Sequence, residues 1–360
     1  MENEEQMSID QEVSVSEVKK PKRKWLRWIV ALILITWFLN SNSSSGKDPA
    51  DSDSYSEYQS IVDQSKTNFF DAFTPGEINS NAVVYLDETI TEDESVRIYK
   101  NIDLAMEYLH VPLTAKTFDI RIFDDYEALK KDMLYMTPAS VYSSVQEELS
   151  ADGTFGLNKN CEVDGSVGVT YDEGWFRPRI FILTECSWEE QPDGSWRLMD
   201  PEVIAHEIAH VAQNYWFGSD FYTWSCFVPN WFTEGQPQFI SAQIATLEND
   251  FDYELFRESW VYWDPDAKLK PHEDYESEYG QYSDGAFAVE YLVGKYGWEK
   301  IETLVAKLNI FPVSACETSD IHDRFANAFK ITYGVSLERF YRDIEDYIKW
   351  NLDEMDFEIN

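Results

Sequence analysis

The stretch PEVIAHEIAHVAQNYW, Pro201 to Trp216, carries helix signals at both ends and fixes more about the fold than any other segment. Asp200 can cap it, Pro201 suits the first helical position, and Glu202 sits near the positive end of the helix dipole. Gly218 can close it. Within it His206 and His210 stand four apart, so both imidazoles lie on one face, a turn apart. The competing reading is an ordinary helix that happens to carry two of the chain's five histidines.

Two imidazoles at this spacing can bind one tetrahedral zinc ion. Glu207 lies one step around the helix, where it can reach a water on the metal without ligating the metal. Zinc brings the pKa of such a water toward ~7, and a carboxylate can take its proton as hydroxide attacks a carbonyl. A catalytic zinc needs a third protein ligand and an open fourth position. The best third ligand is Glu234 in VPNWFTEGQPQF, Val228 to Phe239, 24 positions after His210 (234 − 210). It falls in a short helical segment followed by glycine, and the connecting loop is long enough to bring a second helix back under the metal. Asp220 is a weaker alternative. Pro237 argues for a later start of that second helix, because an interior proline costs about 3 kcal/mol.

The first residues have a different character. Residues 1–24 are polar and end in KKPKRK; residues 25–39, WLRWIVALILITWFL, are apolar; residues 40–58 are rich in Ser and Asp. Basic, apolar, polar is the order of a signal anchor or a signal peptide. As a helix the apolar run measures roughly 22 Å, short of the ~30 Å hydrocarbon core. Arg27 and the flanking tryptophans can make up the difference by snorkelling. The long basic region and the lack of an A-x-A site favour a retained single-pass transmembrane anchor, residues 40–58 then forming a flexible stalk. Cleavage ahead of Ser44 and secretion is the alternative. Either way, residues 59–360 are expected as one extracytoplasmic domain.

Lys+Arg number 29 against Asp+Glu 67, a net charge of −38. Such a surface repels nucleic acid and attracts divalent metals and cationic ligands. Cys161, Cys186, Cys226 and Cys316 form an even set without a C-x-x-C pair, which suggests two disulfides in an oxidising compartment. Three pairings are possible, and Cys161–Cys186 with Cys226–Cys316 is the most local.

The exported part shows no internal repeat. Ile98, Ile102, Ala105 and Leu109 make a helical stripe, and Phe118, Ile120 and Ile122 alternate as in a strand. YEALKKDMLYM returns to helix, GSVGVTYDEG and RPRIFILTE read as two paired strands, and the second half is helical. Ser283 or Asp284 is expected as a cap and Gly297 as a stop. A sheet-containing half followed by a helical half is α+β. Trp216, Trp224, Trp231, Trp260 and Trp263 straddle the histidine motif and either line a groove or pack the core.

HEIAH followed by PNWFTEGQPQF resembles the gluzincin metallopeptidases, and more narrowly the peptidase MA-like proteins. YSDGAFAVEYLVGKYGWEKIETLVAKL, Tyr282 to Leu308, is similar to the tail that follows the glutamate helix in those proteins. The likeness covers roughly 116–308. It implies a thermolysin-like zincin fold, with a twisted sheet and the H-E-x-x-H helix above a cleft and a helical lobe below. It implies one zinc per chain on His206, His210 and Glu234, with Glu207 as general base. A tyrosine or histidine of the lower lobe would steady the oxyanion, for which Tyr282, Tyr279 and His272 are available. Pro237 departs from the family's pattern, and no G-A-M-E-N-like element supports aminopeptidase activity. The expected activity is endopeptidase cleavage of a peptide or protein substrate. The rivals are a zincin-like binding protein without turnover and an acidic surface module for glycan or protein.

Overall fold

The computed structural model describes residues 51–76, 82–109, 118–136, 165–172, 175–184, 188–190, 196–198, 200–216, 228–247, 252–263, 269, 280–308 and 321–358. The apolar run 25–39 and its basic flank lie outside them, as do the four cysteines, Gly218, Asp220, Trp224, His272 and Tyr279. Among the described residues, no helix is long and apolar enough to cross a membrane. The chain divides into Met1–Ser52 and a compact unit, Asp53–Asn360.

The first half alternates helix and strand: α1 (Asp51–Ala72), β1 (Val83–Leu86), α2 (Glu92–Leu109), β2 (Asp119–Phe123), α3 (Tyr126–Met136), β3 (Gly165–Asp172) and β4 (Trp175–Leu183). Residues 51–58, part of the stretch read as a stalk, are helical in α1. Its inner stripe of Ile61, Val62, Ser65 and Phe69 is buried. The four strands form one sheet in the order β1-β2-β4-β3. β1, β2 and β4 run parallel, and β3 returns antiparallel on β4 from Asp172 opposite Trp175.

Alternation gives the sheet two apolar faces. Ile120, Ile122, Ile180 and Ile182 join the main core, and Phe123, Phe181 and Leu183 pack with Tyr126 and Leu129 of α3. Asp119 and Arg179 are register partners on neighbouring strands and form a buried ion pair at 3.2 Å. A small antiparallel hairpin, β5 (Trp188–Glu190) and β6 (Trp196–Leu198), precedes the helical half.

That half comprises α4 (Asp200–Trp216), α5 (Asn230–Ala245), α6 (Tyr253–Trp263), α7 (Gly280–Tyr296), α8 (Trp298–Leu308), α9 (Ile321–Tyr333) and α10 (Leu337–Glu358). α7 is its axle. It starts a turn earlier than Ser283, so Ser283 and Asp284 lie buried inside the helix rather than capping it. Gly297 does end it, with φ of +84° and its N–H on the Val293 carbonyl. Tyr253, Arg257 and Tyr347 converge on the buried Glu290 carboxylate at 2.8, 3.1 and 2.6 Å, tying α6 and α10 to α7.

Two glycines let α5 and α7 meet backbone to backbone. A Cβ on Gly235 would fall 2.1 Å from the Gly285 carbonyl carbon, and one on Gly285 would fall 2.4 Å from the Trp231 oxygen. Trp216, Trp231 and Trp260 of the cluster pack inward. Trp231 sits among Phe232, Phe325 and Phe340, Trp260 lies against Phe287, and Trp216 lies against Phe73 and Trp298.

Alanine normally gains about 1 kcal/mol over glycine inside a helix. At Gly235 the sign should reverse, because the helices have nowhere to go. Gly235→Ala is expected to lose about 1–3 kcal/mol in urea denaturation. A variant as stable as wild type or more so would show that α5 and α7 can part cheaply.

Candidate metal centre

Ile204, Ala205, Ile208, Ala209, Val211 and Ala212 of α4 are buried, and so are His206, Glu207, His210 and Gln213. Those four polar side chains therefore face other protein. α5 crosses beside it and presents Glu234 to the two histidines. Glu234 occupies the second turn of α5, and Gly235, seated on Gly285, sets its depth.

Pro237 does not delay this helix: α5 runs unbroken from Asn230 through it. Proline has no N–H for the carbonyl four residues back, which is that of Thr233. The Gln213 side-chain amide donates to that carbonyl instead, at 3.0 Å. A second side-chain link between the helices runs from Gln238 to Glu202 at 2.6 Å.

His206 Nε2 and His210 Nε2 are 3.1 Å apart; Glu234 Oε2 lies 3.1 Å from His210 Nε2 and 3.6 Å from His206 Nε2. Three ligands at roughly 2.0–2.1 Å from a tetrahedral zinc would stand about 3.3 Å from one another. The spacing found here brackets that edge length, and the donor set of two imidazole nitrogens and one carboxylate oxygen suits zinc. Glu207 is buried on the same helix. Tyr282, in the first turn of α7, places its ring centroid 5.7 Å from that of His206.

Burial opposes charge on both histidines, with opposite outcomes. It pulls His206 below its ordinary value. At His210 the Glu234 carboxylate and its hydrogen bond outweigh burial and raise the ring to about 9. Glu234 is driven the other way: burial alone would raise it, but the histidines hold it well below the carboxylate range. A carboxylate kept ionised beside two imidazoles is a ready counter-charge for a cation.

Gln213 escaped the reading of the sequence. Its signal was there in two pieces: it stands three after His210 on the same helix face, and Pro237 marks a carbonyl that needs a donor. Comparison with known proteins returns no match, whether to a family model, a curated protein or a solved structure.

In chelator-treated protein the Glu234–His210 pair should make stability pH-dependent. A histidine raised in the folded state stabilises fully below its unfolded value of 6.5 and loses that contribution as pH rises through about 9. The urea midpoint of wild type should therefore fall from pH 6.5 to 9 relative to that of Glu234→Gln. Parallel profiles over that range would remove the ion pair.

Proposed function

We propose that the chain is a zinc-dependent peptidase of the gluzincin kind, cleaving internal peptide bonds outside the cytoplasm and held at the membrane by residues 25–39. The observation that carries this reading is the convergence of His206, His210 and Glu234 at tetrahedral ligand spacing. Glu207 sits on the same helix, one residue after the first ligand. A bound zinc would supply the Lewis acid that polarises a carbonyl and acidifies a water. Glu207 takes the proton of the attacking water and hands it to the leaving amine. The Tyr282 hydroxyl, on the His206 side, donates to the carbonyl oxygen as charge builds there. The net charge of −38 favours divalent cations and basic peptides near the site.

Zinc content of the purified full-length protein, measured beside Glu234→Ala and Glu207→Gln, tests this reading. About one zinc per chain is expected in wild type and in Glu207→Gln, with loss or loosening in Glu234→Ala. Hydrolysis of a quenched fluorescent peptide library should fall at least about 100-fold in Glu207→Gln. Absence of zinc from carefully prepared wild type would sink the proposal. Zinc without turnover in wild type would make the chain a binding protein on a peptidase-like scaffold.

A further inference from the structure

We infer that Gln213 is a positioning residue that fixes the ring of His210, and that the helix-interior proline is what anchors it. This rests on the metal-site reading above and extends it to a residue the ligand motif does not contain.

Gln213 is fully buried and makes three contacts with three different residues. Its Oε1 faces His210 Nδ1 at 2.9 Å. Its Nε2 faces the Thr233 carbonyl at 3.0 Å and Gln236 Oε1 at 2.8 Å. The main-chain carbonyl of Thr233 can only accept, so the amide nitrogen must be the end that points at α5. That leaves Oε1, also only an acceptor, opposite Nδ1. His210 must therefore carry a proton on Nδ1, and a neutral ring keeps its lone pair on Nε2, the atom that faces His206 and Glu234. Turning the amide over would set oxygen against two oxygens.

The anchor exists because of Pro237. In a helix without proline the Thr233 carbonyl would receive the N–H of residue 237, and proline has none. The orphaned carbonyl, inside the protein and aimed at α4, takes its donor from the helix that carries the histidines. One side chain thus joins three elements: the ligand ring, the ligand helix and the helix that brings Glu234. Imidazole ligands whose other nitrogen is held this way bind metal more tightly and in one tautomer, and loss of the outer partner typically weakens metal binding about 10–100-fold.

The test uses full-length protein freed of metal by chelator. Zinc affinity is read by competition with a chromophoric chelator, and site geometry by the visible absorption of the cobalt-substituted form. Gln213→Leu should bind zinc about 10–100-fold more weakly and lose the intensity of a tetrahedral cobalt spectrum. Gln213→Glu, whose buried carboxyl in its protonated form keeps an acceptor opposite Nδ1 and a donor to the Thr233 carbonyl, should recover several-fold of that loss, which a purely structural role would not produce. Zinc binding by Gln213→Leu within about threefold of wild type would overturn the inference, as would equal weakening in the Leu and Glu variants. Should Gln213→Leu fail to fold, Gln213→Asn is held to the same criterion, being one methylene too short to span both helices. Absence of zinc binding in wild type would strike the metal site itself, a result distinct from these.

Discussion

The contact on which the rest of this structure depends has no side chains in it. Gly235 of α5 lies against Gly285 of α7, with room for no further atom. Because the two backbones touch, α5 has one depth in the protein, and the residue before Gly235 is Glu234. A helix held off by side chains can slide or tilt by rotamer changes; one held by main chain cannot. α7 is fixed in turn by Glu290, whose buried charge is met by Arg257 and two tyrosine hydroxyls from the helices on either side. A buried charge satisfied on several sides resists displacement, because moving any one partner exposes an unpaired ion.

Around that fixed helix the site is assembled from two α-helices, with no loop residue among its three donor atoms. His206 and His210 keep their relation through the helical repeat, and Glu234 is brought to them by helix packing. The side-chain ties Gln213–Thr233 and Gln238–Glu202 join the same two helices. Electrostatics works within this frame: burial would neutralise all three groups, and their mutual proximity keeps Glu234 and His210 charged instead. Donors carried on rigid elements are held more closely than donors on loops.

Features that live in one stretch of chain were legible in the sequence. The i, i+4 histidines, the glutamate before glycine, the alternating strand β2, the paired strands β3 and β4, and the Gly297 stop each carry a local signature. Features that need two stretches were not. Gly235 read only as a break after a short helix, because its partner Gly285 lies 50 residues on (285 − 235). Pro237 read as an obstacle, since the donor that relieves it belongs to α4. Ser283 and Asp284 have capping chemistry but sit in a helix packed too closely to expose them. β1 is a four-residue strand, too short for periodicity to show, and the Asp-Ser repeat at the start of α1 masked the buried stripe that follows.

That first helix has a bearing on how the chain comes to be folded. α1 seats against α7 through main chain and amide: Ile61 meets Gly294, and Asn68 donates to the Val293 carbonyl across 225 residues of sequence at 2.7 Å. The helix that leaves the ribosome early therefore finds its berth only when most of the chain has followed. Until then Ile61, Val62, Phe69 and Phe73 form an apolar stripe with nothing native to cover it. Long-range closure of this kind slows folding and leaves the early segment open to aggregation. During synthesis that stripe gives a chaperone reason to hold the segment.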